Sequence, residues 1–354
     1  MNTDLISQRT QYLGSRILNV NPYLLWLILV TFVLVKTGFR SASVGVDINF
    51  IPTLAEMPNA TNLFQSGFGP FWLAYLLGIE TSREWIVMTT LILASAIALA
   101  VPLAKRRFPG NVQFALILIA ALPVLSTQFS WLGMYDPFVF LGLIIWGLGR
   151  SNVWWFVGAF IASSANPEQL TVAAALALLA TFIMGLNRAR RPAIILLGVS
   201  ILNIVISQFW FILSGNSSNR ANQLSELLEP SLYSFSMFWP LYIWGIFGAL
   251  WLVVLLSVAS LRSKRTAIIS LVILTGIPLF AGAITLDGFR VLALVALPVT
   301  LLIVANFVDS MKTSKFPTPY LAIAMLVILI LAPPVELSWP SIGPLIYDFL
   351  SQHL

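Results

Sequence analysis

The chain has 354 residues, of which 59% are hydrophobic and 9% charged, with a formal net charge of +6. A soluble domain carries roughly a quarter charged residues, and surface-to-volume scaling leaves no soluble core able to hide this much apolar surface. Cysteine is absent and His353 is the only histidine, which excludes disulfides and thiol chemistry and argues against His-based hydrolysis and His-ligated metal or haem.

Long continuous apolar runs, rather than short alternating ones, point to helices in lipid, where backbone groups must be satisfied within the segment. The expected fold class is all-α: a polytopic membrane protein with about eleven transmembrane helices in one domain, 1–354. Residues 1–21 contain Arg9 and Arg16 and no apolar region, so they read as a cytoplasmic segment rather than a signal peptide. Candidate spans follow at 22–38, 85–104, 112–129, 135–149, 152–165, 168–186, 192–214, 235–261, 266–286, 290–308 and 318–333. Segments 135–149 and 152–165 are short, and short helices of this kind often end at a cavity. A long outer loop, 37–84, holds the aromatic stretch Gly67 to Leu77, too short to span and read as an interfacial or re-entrant helix. The loop 215–234 carries Leu224, Leu227 and Leu228 at helical spacing. The tail 334–354 is expected outside.

Basic clusters mark the cytoplasmic side. With the N-terminus inside and eleven crossings, the cytoplasmic segments hold fourteen of the nineteen basic residues, and the outer ones hold eleven of the thirteen acids. The basic excess is therefore a topology signal for a cell membrane protein whose C-terminus lies outside, and no nucleic-acid role follows from it.

The outer turns collect the unusual polar residues. Asp47 lies early in the first loop, Asp136 precedes Pro137, Glu168 follows Pro167, and Asp287 stands three residues before Arg290. Singly, Asp136 and Glu168 read as helix starts and Asp287 with Arg290 as a local salt bridge. Asp47 has no obvious helix to cap. Together they mark a site, because ionisable groups at membrane depth are costly.

This arrangement resembles the GT-C superfamily, integral-membrane glycosyltransferases that use lipid-phosphate-linked sugars. The matching features are Asp47 early in the loop, the aromatic helix around Trp72, Asp136 and Glu168 at later outer turns, and Asp287 with Arg290 late in the chain. The resemblance implies sugar transfer from a polyprenyl-phosphate carrier to an acceptor at the outer face of the cytoplasmic membrane. Its partners would be the bilayer and the lipid-linked sugar donor. Asp47 would be the base, and Arg290 would bind the donor phosphate, with Arg40 and Arg83 as secondary candidates. Trp72 would cover the prenyl chain or stack on sugar. Asp136 or Glu168 would hold sugar hydroxyls or a divalent cation, Mg2+ or Mn2+. The chain departs from larger members in having no C-terminal soluble domain and no adjacent acid pair, which leaves the metal unassigned. Three alternatives remain open: a transporter or flippase of lipid-linked or small anionic substrates, a polysaccharide polymerase or ligase, and a non-catalytic assembly partner.

Overall fold

A computed structural model describes residues 3–38, 67–130, 133–213, 220–285, 288–311 and 318–331. Arg40, Asp47, Asp287, the first part of the long loop and the tail 334–354 lie outside the described residues. Every regular element among the described residues is helical. The helices are α1 (Thr3–Leu18), α2 (Pro22–Thr37), α3 (Phe68–Leu76), α4 (Ser82–Arg107), α5 (Val112–Ala120), α6 (Pro123–Ser130), α7 (Asp136–Leu148) and α8 (Asn152–Ala165). They continue as α9 (Pro167–Ile183), α10 (Arg190–Leu213), α11 (Arg220–Phe247), α12 (Trp251–Ala259), α13 (Lys264–Ala283), α14 (Gly288–Ser310) and α15 (Thr318–Leu331).

Local chemistry sets several starts. Asn21 accepts a hydrogen bond from the Tyr23 backbone N–H at 2.9 Å, with Pro22 at the first helical position of α2. Thr81 and Glu84 form a reciprocal capping box at α4. The sequence expects no element before Pro22, yet α1 is a helix. It meets α2 at 104° and packs on α15, with Gly14 against Pro319.

Among the described residues, five helices are long and apolar enough to cross a membrane, or up to seven if each bent pair counts as one span. The expected count of about eleven includes α7, α8, α9 and α15, which have 13, 14, 17 and 14 residues. These fall short of the roughly 20 residues of an ordinary span, which is why length and composition do not establish them as crossings.

Helix α14 is the hub. Some 94% of its apolar window is buried, against 28–56% for the other four long helices. It is apolar all round, as a helix surrounded by other helices must be, and it packs against α5, α6, α7, α9, α11, α12 and α13. Its two ends carry the two ion pairs resolved among the described residues, Arg290 with Asp136 and Asp309 with Arg107. The nineteen steps from residue 290 to residue 309 rise roughly 28 Å at 1.5 Å per residue, close to the ~30 Å hydrocarbon core.

Contacts sort the helix ends into two groups. At one end Lys105 lies over the Tyr23 ring at 4.2 Å, Arg107 pairs with Asp309 at 2.7 Å, and the Trp146 indole donates to the Pro192 carbonyl at 2.9 Å. At the other end Phe71 stacks on Trp85 at 5.3 Å, Gly69 meets Ser164, and Asp136 pairs with Arg290. The first group carries the basic clusters, so segregated charge in the sequence corresponds to segregated ends in space.

Helices α7 and α8 cross at close range. A Cβ on Gly158 would stand 2.5 Å from the Gly142 carbonyl oxygen and 2.5 Å from the Trp146 nitrogen. Small residues let helix backbones approach in lipid, where packing replaces the hydrophobic effect.

Candidate functional site

The site begins at Asp136. The sequence reads it as a helix start, and it is indeed the first residue of α7, but it makes no capping hydrogen bond. Its carboxylate turns instead to α14. Arg290 Nη1 donates to both Asp136 oxygens, each at 2.9 Å. Asp136 is 1% exposed and Arg290 5%. Arg290 thus makes a long-range pair in addition to anything near it in sequence, and Asp287, its expected local partner, lies outside the described residues.

The two charges sustain each other. A carboxylate or guanidinium buried alone at this depth costs several kcal/mol, and a partner at hydrogen-bond distance offsets it. Nη1 alone binds Asp136, so the pair is not the two-nitrogen fork that guanidinium and carboxylate often form. Asp136 therefore holds the guanidinium from one side.

Aromatic rings pack next to it. Tyr242 lies 4.3 Å from the Phe289 ring and 5.1 Å from Phe235, centroid to centroid. The Tyr242 ring occupies the space that a Cβ on Gly288 would need, so a glycine is required there. On either side of the kink at Phe238, Tyr233 and Trp239 are exposed.

The remaining expected residues are distributed unevenly. Glu168 is half-buried in the first turn of α9, where Asn166 does the capping. Trp72 is half-buried on α3, edge-on to Tyr75 at 5.9 Å. Helix α3 docks on the C-terminal end of α8 through Gly69 and Ser164, so the aromatic stretch is a helix of nine residues packed at the Asp136 end. Arg83 is exposed. It lines an apolar groove between α3 and α4 with Leu73, Leu77 and Val87, rather than joining Arg290.

Gln128 was not singled out in the sequence. It is 1% exposed on α6, and among the described residues neither amide atom has a hydrogen-bond partner. The available signal was an amide inside an apolar run, which is expensive unless used. Among the described residues no group of three or more His, Cys, Asp or Glu side chains comes together to hold a metal ion. Asp136, one of the two residues expected to meet sugar hydroxyls or a cation, accepts from Arg290 instead of standing beside a second carboxylate among the described residues.

The class that this fold defines is a multi-pass α-helical membrane protein. No family model, curated protein or solved structure matches the chain.

Proposed function

We propose that the chain is a GT-C-like transferase that moves a sugar from a polyprenyl-phosphate carrier to an acceptor at the outer face of the cytoplasmic membrane. The observation that carries this reading is the buried Asp136–Arg290 pair beside the docked helix α3, at the end opposite the basic clusters. A guanidinium presents a planar set of donors that matches a phosphate, and Asp136 fixes this one at the end of the bundle away from the basic clusters. In this reading Asp136 is a positioning residue and Arg290 binds the departing phosphate. Asp47 takes the proton from the acceptor hydroxyl as the new C–O bond forms, and the bond from sugar to phosphate breaks to release polyprenyl phosphate. Arg40 and Arg83 guide the donor, Trp72 contacts its chain, and Glu168 and Asp287 meet sugar hydroxyls or support the arginine.

The same reading takes the chain across the membrane eleven times with the N-terminus inside. It is supported by the alternation of helix ends between the basic group and the Asp136 group, and by an Arg290-to-Asp309 rise that matches hydrocarbon thickness. A transporter of small anionic substrates is the second reading. The 58° break between α5 and α6, with the buried amide of Gln128 further along α6, favours it, because broken helices and buried polar groups line transport sites.

The test is release of polyprenyl phosphate from a polyprenyl-phosphate sugar by the reconstituted protein. Asp47→Asn keeps the side-chain shape and removes the proton acceptor, so turnover is expected to fall about 100-fold or more. Equal turnover by this variant contradicts the assigned base, and substrate flux without release of polyprenyl phosphate favours the transporter.

A further inference from the structure

We propose that the protein binds a phosphate ester in a second site, a cavity recessed into the basic end of the bundle. This inference does not depend on the transferase reading.

The cavity arises from a mismatch in helix length. Helices α7 and α14 start together at the Asp136–Arg290 pair and run in the same direction. Asp136 to Gly149 rises only roughly 20 Å, whereas Arg290 to Asp309 rises roughly 28 Å, at 1.5 Å per residue. The α7–α8 turn therefore stops well below the level of Asp309. The space it leaves measures about 490 Å3, within the range of small-molecule sites.

The walls define the ligand. Arg107, Arg188, Asn187 and Asn306 line the cavity. Arg107 is bonded bidentately to Asp309, at 2.7 and 3.3 Å. Arg188 is exposed at the rim, and no carboxylate pairs with it among the described residues. The lining thus carries one excess positive charge, in the part of the molecule where the basic clusters gather. Trp155 forms an apolar wall, its indole N–H donating to the Gly149 carbonyl at 2.9 Å, so the ring is fixed and its polar edge is already satisfied. Two guanidinium groups and two side-chain amides offer more donors than the two oxygens of a carboxylate can use. A phosphate group, with oxygens directed tetrahedrally, can engage several at once, and a guanidinium matches it bidentately. The apolar wall accommodates the organic part of the ester. The phosphate could be supplied by a phospholipid head group or by a soluble metabolite, and the chemistry of recognition is the same.

The full-length protein in detergent is titrated calorimetrically with glycerol 3-phosphate, dihexanoyl phosphatidylglycerol and glycerate. At least one phosphate probe is expected to bind, and glycerate to bind at least tenfold more weakly. Binding of glycerol 3-phosphate identifies a soluble ester as the ligand type, and binding of the lipid alone identifies a head group; both support the site. Arg188→Gln changes an exposed side chain and is expected to weaken binding about tenfold. Asp309→Asn removes the carboxylate that competes for Arg107 and is expected to tighten binding severalfold. The proposal is overturned if neither phosphate probe binds, if glycerate binds equally well, if Arg188→Gln leaves affinity unchanged, or if Asp309→Asn fails to tighten it.

Discussion

Arg290 and Asp136 stand 154 positions apart and meet through one guanidinium nitrogen, 2.9 Å from each carboxylate oxygen. Removing one partner takes away the opposite charge that the other meets at hydrogen-bond distance. Asp136→Leu or Arg290→Met alone is expected to destabilise the protein by about 3–5 kcal/mol, whereas the double variant should lie within ~1 kcal/mol of the parent. Thermal or denaturant unfolding in a fixed detergent checks this. Additive losses in the double variant would mean that the pair is not coupled.

The α7–α8 crossing gives a second prediction. Gly158 faces the Gly142 carbonyl so closely that any side chain must separate the backbones. Gly158→Val is expected to cost about 1–3 kcal/mol or more, as overpacking does. Gly198 has no neighbour near its Cβ position, so Gly198→Ala is the control. It should leave stability unchanged or raise it slightly, because alanine favours the helix. Equal melting temperatures for the parent and Gly158→Val would refute the close crossing.

Orientation is tested by labelling. The chain has no native cysteine, so the background is clean. A cysteine in place of Glu80, at the α3–α4 turn, is expected to react with an impermeant maleimide added to intact cells. One in place of Ser263, at the start of α13, is expected to react only after lysis. The reverse pattern would put the Asp136–Arg290 end inside and remove the outer site.

Helix positions were largely legible because apolar runs announce themselves in composition. Each expected span overlaps a helix, and the basic clusters gather at one end as the charge pattern implied. What the helices do with one another was not legible. In lipid an apolar side chain faces a neighbour or an acyl chain alike, so nothing in the pattern of α14 marks it as the hub. Asp136 before Pro137 reads the same whether it caps its helix or reaches across the bundle, and only the fold shows that it does the second. Helix α1 was missed because Leu13, Ile17 and Leu18 are few and interspersed with polar residues. Its support comes from α15, some three hundred residues later. The basic-end cavity shows in the sequence only as the shortness of segment 135–149, since it reflects a difference in length between two helices, and its lining residues carry no sequence signature.

In the proposed transferase, Arg290, positioned by Asp136, receives the phosphate of a lipid-linked donor. Retention of polyprenyl phosphate by the purified protein in nanodiscs, measured by native mass spectrometry against excess phosphatidylglycerol, tests it most directly. The parent is expected to retain polyprenyl phosphate selectively. Arg290→Lys keeps the charge and loses the planar fork, so it is expected to lose about tenfold in retention while Asp47→Asn retains as much as the parent. Retention of polyprenyl phosphate no better than bulk lipid, or equal retention by Arg290→Lys, would contradict the account.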